Sequence, residues 1–167
     1  KCINCRSCIE ACESRALGEG GVRDLDRCIA CYKCIETCPN EARVLYGEEW
    51  EAEALAEKLL EDRDFFISSG GGVTLSGGEC LAQPAFAIEL ARILHGKGIS
   101  VDVDTCGYAS FDVFERIIPY TDEFLYDIKA IDEDVHIRCT GQSNSLILDN
   151  FRFLKEQKAA IEVRYPY

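Results

Sequence analysis

The chain has 167 residues, 11 of them cysteine and none methionine, with 47% hydrophobic residues and a formal net charge of -12. A hydrophobic fraction of this size can fill a core, so the composition excludes a wholly disordered chain, and the absence of a run of about 18 apolar residues predicts no membrane span. The acidic balance argues against nucleic acid as a partner, and no signal-peptide pattern opens the chain, which predicts a cytoplasmic protein.

The first forty residues hold eight of the eleven cysteines in two equal runs. Each run has the spacing C-x2-C-x2-C-x3-C, the first formed by Cys2, Cys5, Cys8 and Cys12 and the second by Cys28, Cys31, Cys34 and Cys38. The same forty residues carry six basic and six acidic side chains, so the net acidity lies after residue 40. We interpret this region as a duplicated unit whose chemistry differs from that of the rest.

Thiolates at this spacing are typical ligands of iron-sulfur clusters, and in two-cluster ferredoxins the fourth cysteine of each run binds the other cluster. On that rule one 4Fe-4S cluster takes Cys2, Cys5, Cys8 and Cys38, and the second takes Cys28, Cys31, Cys34 and Cys12. Pro39 follows the last cysteine as the motif requires, whereas Glu13 stands at the equivalent place in the first run. Two such clusters would lie close together and pass single electrons.

Two other interpretations of the cysteines remain open. Zinc usually takes two ligand pairs separated by a longer loop, not three cysteines within seven residues. A disulfide framework is typical of secreted chains, and nothing in the sequence indicates secretion.

After the cysteine runs, the pattern predicts a connector and then alternating strands and helices. Residues 47–64 form the connector, with a helix over 51–62 whose leucine stripe is expected to lie on a surface. Strands are predicted at 72–76, 99–104, 123–128 and 160–164, and helices at 84–95, 111–118 and 144–157. This alternation is typical of βαβ units in a parallel sheet, so we expect domains at 1–46 and 65–167 on either side of the connector.

Polar and glycine-rich segments follow three of the predicted strands. The stretch GGGVTLSGGEC, residues 70–80, has five glycines but lacks the lysine and hydroxyl of a phosphate-binding loop. Asp104, Asp127 and Lys129 lie at later strand ends, where barrel and open-sheet enzymes place their sites. They could converge on a zwitterionic ligand, or form a salt-bridge network that needs no ligand.

The remaining conspicuous side chains are assigned to packing. Cys80, Cys106 and Cys139 are expected to be small packed residues. His136 is expected at the surface near a helix. A core position is expected for four aromatic residues, Phe65, Phe66, Tyr108 and Phe111.

Taken together, the paired cysteine motifs, SGGGVTLSGGEC, DTCGY, FLYDIK and the stretch 140–150 resemble the activating enzymes of glycyl-radical enzymes, which belong to the radical S-adenosylmethionine (SAM) superfamily. The resemblance implies an α/β fold: a partial (β/α) barrel with parallel strands, plus a small ferredoxin-like α+β insert with two clusters. It also implies reductive cleavage of SAM to a 5'-deoxyadenosyl radical that takes a hydrogen atom from a glycine of a partner enzyme.

The resemblance also implies a set of SAM-binding residues. Gly77, Gly78 and Glu79 would contact the methionyl part, and the region around the SAM carboxylate would be lined by Asp104, Thr105, Asp127 and Lys129, with Arg164 as a further candidate. The family's catalytic cluster needs C-x3-C-x2-C, but Arg15 and Glu41 occupy the third position of the two nearest matches. We therefore expect a piece truncated at both ends, with no catalytic residue and with the ligands of a third 4Fe-4S cluster before Lys1.

The resemblance implies two partners, a glycyl-radical enzyme as protein substrate and an electron donor such as flavodoxin or ferredoxin. Neither nucleic acid nor a membrane is expected. Two other functions remain alternatives: a ferredoxin-type electron-transfer module without SAM chemistry, and a zinc-structured interaction protein. These residues do not indicate which glycyl-radical enzyme is served.

Overall fold

The computed structural model describes residues 1–166. It divides the chain into two compact units, Lys1–Glu49 and Trp50–Tyr167. Among the described residues, no helix is both long and apolar enough to cross a membrane.

The first unit repeats its backbone every 26 residues. Its two helices, α1 (Ser7–Glu10) and α2 (Lys33–Glu36), both begin after a residue in the left-handed region, Arg6 at φ 66° and Tyr32 at φ 58°. Two more pairs with positive φ keep the same offset, Asn4 with Ala30 and Arg15 with Glu41. Residues other than glycine adopt this conformation at a cost of roughly 1–2 kcal/mol each, so the repeated turns indicate a repeated local requirement.

The second unit is a parallel α/β structure. Its helices are α3 (Ala52–Leu59), α4 (Arg63–Ser69), α5 (Pro84–Gly96), α6 (Phe111–Ile117), α7 (Glu133–Thr140) and α8 (Ser145–Glu156). Its strands are β1 (Gly72–Leu75), β2 (Ser100–Thr105), β3 (Glu123–Asp127) and β4 (Ile161–Arg164). All three strand pairs are parallel, in the order β1-β2-β3-β4. The predicted α/β class with a parallel sheet is confirmed, and the sheet is consistent with part of a barrel.

The core of the second unit lies between the sheet and the helices. Val101 and Val103 of β2 are fully buried, as are Phe114 of α6 and Tyr126 of β3. Helix α5 contributes a buried stripe at helical spacing: Ala87, Ile88, Leu90, Ala91 and Leu94. Strand burial alternates along β2 and β3, which leaves the other residues of these strands free to serve a site at the strand ends.

Helix α3, expected to be a surface connector, packs instead against α5 within the second unit. Ala52 and Ala56 are buried in the core cluster, and the leucines of the predicted stripe are partly buried around it. The boundary between the two units therefore falls between Glu49 and Trp50.

Helices α4 and α7 were not predicted. The sequence Phe65-Phe66-Ile67 favours a strand by composition, yet it forms the middle of α4, with Phe65 71% exposed. The core prediction is wrong for Phe65 and also for Tyr108 and Phe111, which are nearly half exposed, whereas Phe66 packs against the core.

Candidate functional site

The first unit contains a cavity of about 580 Å³ that is lined by thiols from both cysteine runs. Its cysteines are Cys2, Cys5, Cys8 and Cys38, the set that the crossover rule assigns to one cluster. Arg6, Arg43 and Glu19 also line the cavity, with Arg6 paired to Glu19 at 2.9 Å, so Arg43 is the cation there that has no carboxylate partner among the wall residues.

The other four cysteines of the two runs line a second, tighter cavity of about 30 Å³: Cys12, Cys28, Cys31 and Cys34. The other residues of its wall are mostly apolar and include Ala16, Leu17 and Ile29. The fourth cysteine of each run therefore lies with the first three of the other run.

Backbone amides approach the two thiols that cross over. The Ala16 amide donates to Cys12 Sγ at 3.2 Å, and the Ala42 amide donates to Cys38 Sγ at the same distance. The pKa of Cys38 is lowered by backbone amides, while the pKa of Cys12 is lowered first by the Ser14 hydroxyl. Lower pKa values favour the thiolate, which is the form that binds metal.

The thiols of each set do not converge on a single point. In the described residues no group of three or more His, Cys, Asp or Glu side chains is arranged to hold one metal ion, and all eleven cysteines are free thiols. A zinc ion draws four sulfurs to about 2.3 Å from one centre, whereas each cysteine of a 4Fe-4S cubane binds a different iron.

Glu13, which replaces the motif's proline in the first run, forms an ion pair with Lys33 of α2. The pair lowers the pKa of Glu13 and raises that of Lys33. Because both side chains are about half exposed or more, the contact adds little stability, but it links the two halves of the repeat.

At the end of β1, the Glu79 carboxylate ties two strand ends together. It accepts hydrogen bonds from the Leu81 amide at 3.1 Å, the Thr105 hydroxyl at 2.8 Å and the Cys106 amide at 2.9 Å. Thr105 itself is buried, and its hydroxyl also accepts from the Gly107 amide. Thr105 therefore lies beneath the strand ends and supports Glu79.

The two glycines before Glu79 leave the loop after β1 open. Gly77 has φ +131°, a conformation that side chains rarely adopt, and a Cβ at either Gly77 or Gly78 would meet nothing within 4 Å. The backbone of this loop is exposed at the carboxyl end of the sheet, where a ligand can approach its amides and carbonyls.

A charged network joins the ends of all four strands. Arg164 of β4 pairs with Asp104 of β2 and with Asp127 of β3, its Nε lying 2.8 Å from the latter. Lys129 Nζ lies 2.6 Å from the other oxygen of Asp127, and Ser76, after β1, donates to Asp104 at 3.0 Å. The structure thus brings together the four charged residues that the sequence singled out, and it adds Ser76, for which the sequence gave no signal.

The network is balanced, with two carboxylates and two cations. Burial raises the pKa of Asp127, but the hydrogen bond and charge of Lys129, with the charge of Arg164, outweigh burial and hold that pKa below its ordinary value. Both aspartates are about one-quarter exposed, whereas Lys129 is half exposed. Lys129 is therefore the more accessible of the two charged partners of Asp127 to a ligand.

The loop after β2 is held from below by buried polar groups. Asn150 of α8 donates to the carbonyls of Gly107 and Ala109 at 2.9 and 2.8 Å. Tyr126 Oη lies directly under Gly107, where a Cβ would clash with it, and donates to the Ile147 carbonyl at 2.7 Å. Only a glycine fits there, with φ +78°.

His136 is buried, so the prediction of a surface position is wrong. Its Nδ1 lies 2.8 Å from the Gln142 carbonyl and 3.1 Å from the Thr140 hydroxyl. These two contacts supply the partners that a buried imidazole needs. The contact with Gln142 also ties the ring to the turn after α7.

Cys80 and Cys106 flank Glu79 as partly buried thiols. Burial, with the nearby carboxylates, raises the pKa of Cys80 to about 12 and that of Cys106 to about 11. Both remain protonated at neutral pH and are poor metal ligands. Cys139, expected to be packed, is exposed on α7.

The chain thus combines two cysteine runs with a parallel α/β sheet that has charged side chains at the carboxyl ends of its strands. The family model for the radical SAM superfamily matches residues 29–163, so the chain belongs to that superfamily. This membership favours SAM chemistry over the alternative of a ferredoxin-type electron carrier.

Individual relatives within this superfamily are activating enzymes. The chain is 48% identical, over 99% of its length, to trans-4-hydroxy-L-proline dehydratase activating enzyme of Clostridioides difficile, and 40% identical, over 99%, to choline trimethylamine-lyase activating enzyme of Oleidesulfovibrio alaskensis. It covers 56% and 55% of those proteins, about half of their length. A solved domain of a pyruvate-formate lyase-activating enzyme from Bacteroides vulgatus matches with a TM-score of 0.54 at 33% identity, covering 57% of this chain and 60% of that one.

Proposed function

We propose that the protein containing this chain activates a glycyl-radical enzyme. The observation that carries the proposal is the convergence of Asp104, Asp127, Lys129 and Arg164 at the strand ends of a radical SAM sheet. Its 48% identical and 40% identical relatives are both named as activating enzymes of this kind. The same chemistry in this protein requires SAM, a reductant and a protein substrate that carries the glycine.

The cysteine sets are proposed to hold two 4Fe-4S clusters in a ferredoxin-like domain, one bound by Cys2, Cys5, Cys8 and Cys38 and the other by Cys28, Cys31, Cys34 and Cys12. The sets of thiols around the two cavities support this assignment, as does the lowered pKa of Cys5, Cys12 and Cys38. A third cluster, with its cysteine ligands in the part of the protein outside these 167 residues, would provide the reductive chemistry.

A bound third cluster would supply one electron for reductive cleavage of the sulfur-C5' bond of SAM, and the resulting deoxyadenosyl group would take a hydrogen atom from the partner's glycine. The residues of this chain bind and orient SAM. We assign the backbone of Gly77 and Gly78 to the methionyl group, and Lys129 and Arg164 to its carboxylate. Asp104 and Asp127 hold these two cations in place and can accept from the SAM ammonium group.

Glu79 and Thr105 are proposed to position the SAM-binding loop without contacting SAM themselves. The Glu79 carboxylate accepts hydrogen bonds from the Leu81 and Cys106 amides and from the Thr105 hydroxyl, so this side chain fixes the loop that carries the two glycines. We assign no catalytic residue in this chain, because none of its side chains is proposed to exchange a hydrogen atom with the substrate.

The proposed setting is the cytoplasm, with a glycyl-radical enzyme as substrate and a flavodoxin or ferredoxin as electron donor. The expected readout is formation of 5'-deoxyadenosine by the full-length protein, loaded with iron and sulfide under anaerobic conditions and reduced with dithionite. Lys129→Met should raise the KM for SAM at least about tenfold, because a charged pair to the ligand carboxylate is lost.

The matched control is Lys97→Met, which removes the same charge from an exposed position after α5. It should leave the KM for SAM unchanged. Colourless protein without sulfide, or fully loaded protein that produces no 5'-deoxyadenosine, contradicts the proposed function.

A further inference from the structure

The first unit has a groove of about 380 Å³ beside the second cysteine set. It is formed by the segment around Cys28 and Cys34 and by residues 42–46. We call it the arginine groove, because Arg23 and Arg43 are the two charged residues among those that line it. Acidic side chains do not contribute to its described wall.

The charge of the arginine groove is opposite to that of the chain as a whole, which carries a net charge of -12. Arg43 is held in place by a hydrogen bond from its guanidinium to the Gly21 carbonyl. Arg23 is exposed, and within the described residues its guanidinium makes no hydrogen bond or ion pair. A fixed cation and a free one therefore line this groove, in a chain whose net charge is negative.

The rim of the groove is apolar and exposed. Tyr46 is 92% exposed, Val44 55% and Leu45 50%, and Tyr32 from the other side is 37% exposed. Tyrosine and arginine around exposed aliphatic side chains are the composition typical of protein interfaces. A small surface of this kind suits a transient complex, which is what electron-transfer partners form.

The arginine groove shares wall residues with the second cysteine cavity, which is proposed to hold an iron-sulfur cluster. Cys28 and Cys34 line both the groove and the second cavity, and Arg23 also lines both. A protein seated in the groove would therefore lie directly against the second thiol set, whereas the first cavity contacts the groove only through Ala42 and Arg43.

We propose that the arginine groove is the docking surface for a small acidic electron-carrier protein. The proposal rests on the proposed function, since it assumes that the second thiol set holds a redox centre. Electrostatic attraction to Arg23 and Arg43 selects and steers the acidic partner, and the exposed rim of Val44, Leu45 and Tyr46 provides the contact area.

The test is the affinity of the full-length protein, loaded with iron and sulfide, for an oxidised acidic flavodoxin, measured by calorimetric titration at low ionic strength. No electron moves under these conditions, so the dissociation constant reports docking alone. Arg23→Glu should raise that constant by about tenfold or more, because it places a carboxylate against an acidic partner. Tyr46→Ala should raise it by about threefold, through lost contact area.

Arg27→Glu is the matched control, since it makes the same charge change four residues away at an exposed position outside the groove wall. It should change the constant by less than about twofold, and added salt should weaken binding of the wild type more than binding of Arg23→Glu. Iron and sulfide content is measured for each variant, so that loss of a centre is not mistaken for loss of docking.

Three results would overturn the docking proposal: no binding of flavodoxin by loaded wild-type protein, equal weakening by Arg23→Glu and Arg27→Glu, or a lower melting temperature of Arg23→Glu with unchanged affinity. The last would mean that another part of the same protein covers the groove. If SAM cleavage driven by dithionite persists, any of these three results contradicts only the docking proposal. Colourless protein would instead contradict the proposed function itself.

Discussion

Each of the two units of the chain is stabilised in a different way. In the first unit only Ala16 and Leu17 are buried hydrophobic residues, and its turns require positive φ at non-glycine positions. The second unit has a continuous core between a parallel sheet and its helices. We expect a unit with so little buried apolar surface to need bound ligands for stability, while a unit with a core folds through its own packing.

Because of this difference in buried apolar surface, the sequence has a different role in each unit. In the first, cysteine spacing and backbone turns prepare donor sets and contribute little packing. In the second, packing places side chains from four strands at one edge. The predictions below contrast the two modes, beginning with the largest effect.

Removal of iron should unfold the first unit and leave the second unit folded. With a chelator under reducing conditions, hydrogen-exchange protection of α1 and α2 should fall at least about a hundredfold, because the two proposed clusters would supply most of the folding free energy there. Protection of β2 and β3 should persist, since their core contains no metal. Parallel loss of protection in β2 would contradict the proposed independence of the second unit.

Gly107→Ala should lower the free energy of unfolding of the second unit by about 3 kcal/mol or more. The new Cβ would clash with Tyr126 Oη, which is buried and bonded to the Ile147 carbonyl. Gly98→Ala separates this clash from backbone strain, because Gly98 has a similar φ of +76° with nothing within 4 Å. The control should cost only about 1 kcal/mol in urea unfolding, and equal costs for both variants would show that the Tyr126 contact is unimportant.

Asp127→Asn should flatten the acid dependence of stability in the second unit. The folded pKa of Asp127 is held below its unfolded value, so this carboxylate contributes stability above about pH 3.9 that is lost as the pH falls through the folded pKa. Urea midpoints of iron-free protein between pH 6 and pH 3 should decline less steeply in the variant. An unchanged slope would indicate that solvent screens the pairs to Lys129 and Arg164.

The smallest effect concerns cysteine reactivity. At pH 8 iodoacetamide should modify Cys139 readily, because its thiol is exposed. Cys80 and Cys106 should react far more slowly, since their raised pKa values keep them protonated. Peptide mass spectrometry on the native protein checks the order, and faster labelling of Cys80 than of Cys139 would show that the loop after β1 opens in solution.

Local patterns predicted the strands and the main helices well. The alternation in residues 99–104 places β2 within one residue of its observed bounds, and Pro84 marks the first residue of α5. Helix α4 was missed because its phenylalanines and isoleucine favour a strand. The burial of His136 was missed because its partners lie in a turn whose path the sequence does not indicate.

By itself, the sequence determined the two cysteine runs, the parallel α/β class and three charged residues at strand ends, Asp104, Asp127 and Lys129, because each follows from spacing of a few residues along the chain. Only the tertiary structure decided that Arg164 joins Asp104 and Asp127, that Thr105 lies beneath Glu79, and that two arginines face a groove at the second thiol set. These contacts join residues from 20 to 60 positions apart, and their geometry is set by strand register and packing, which no local pattern encodes.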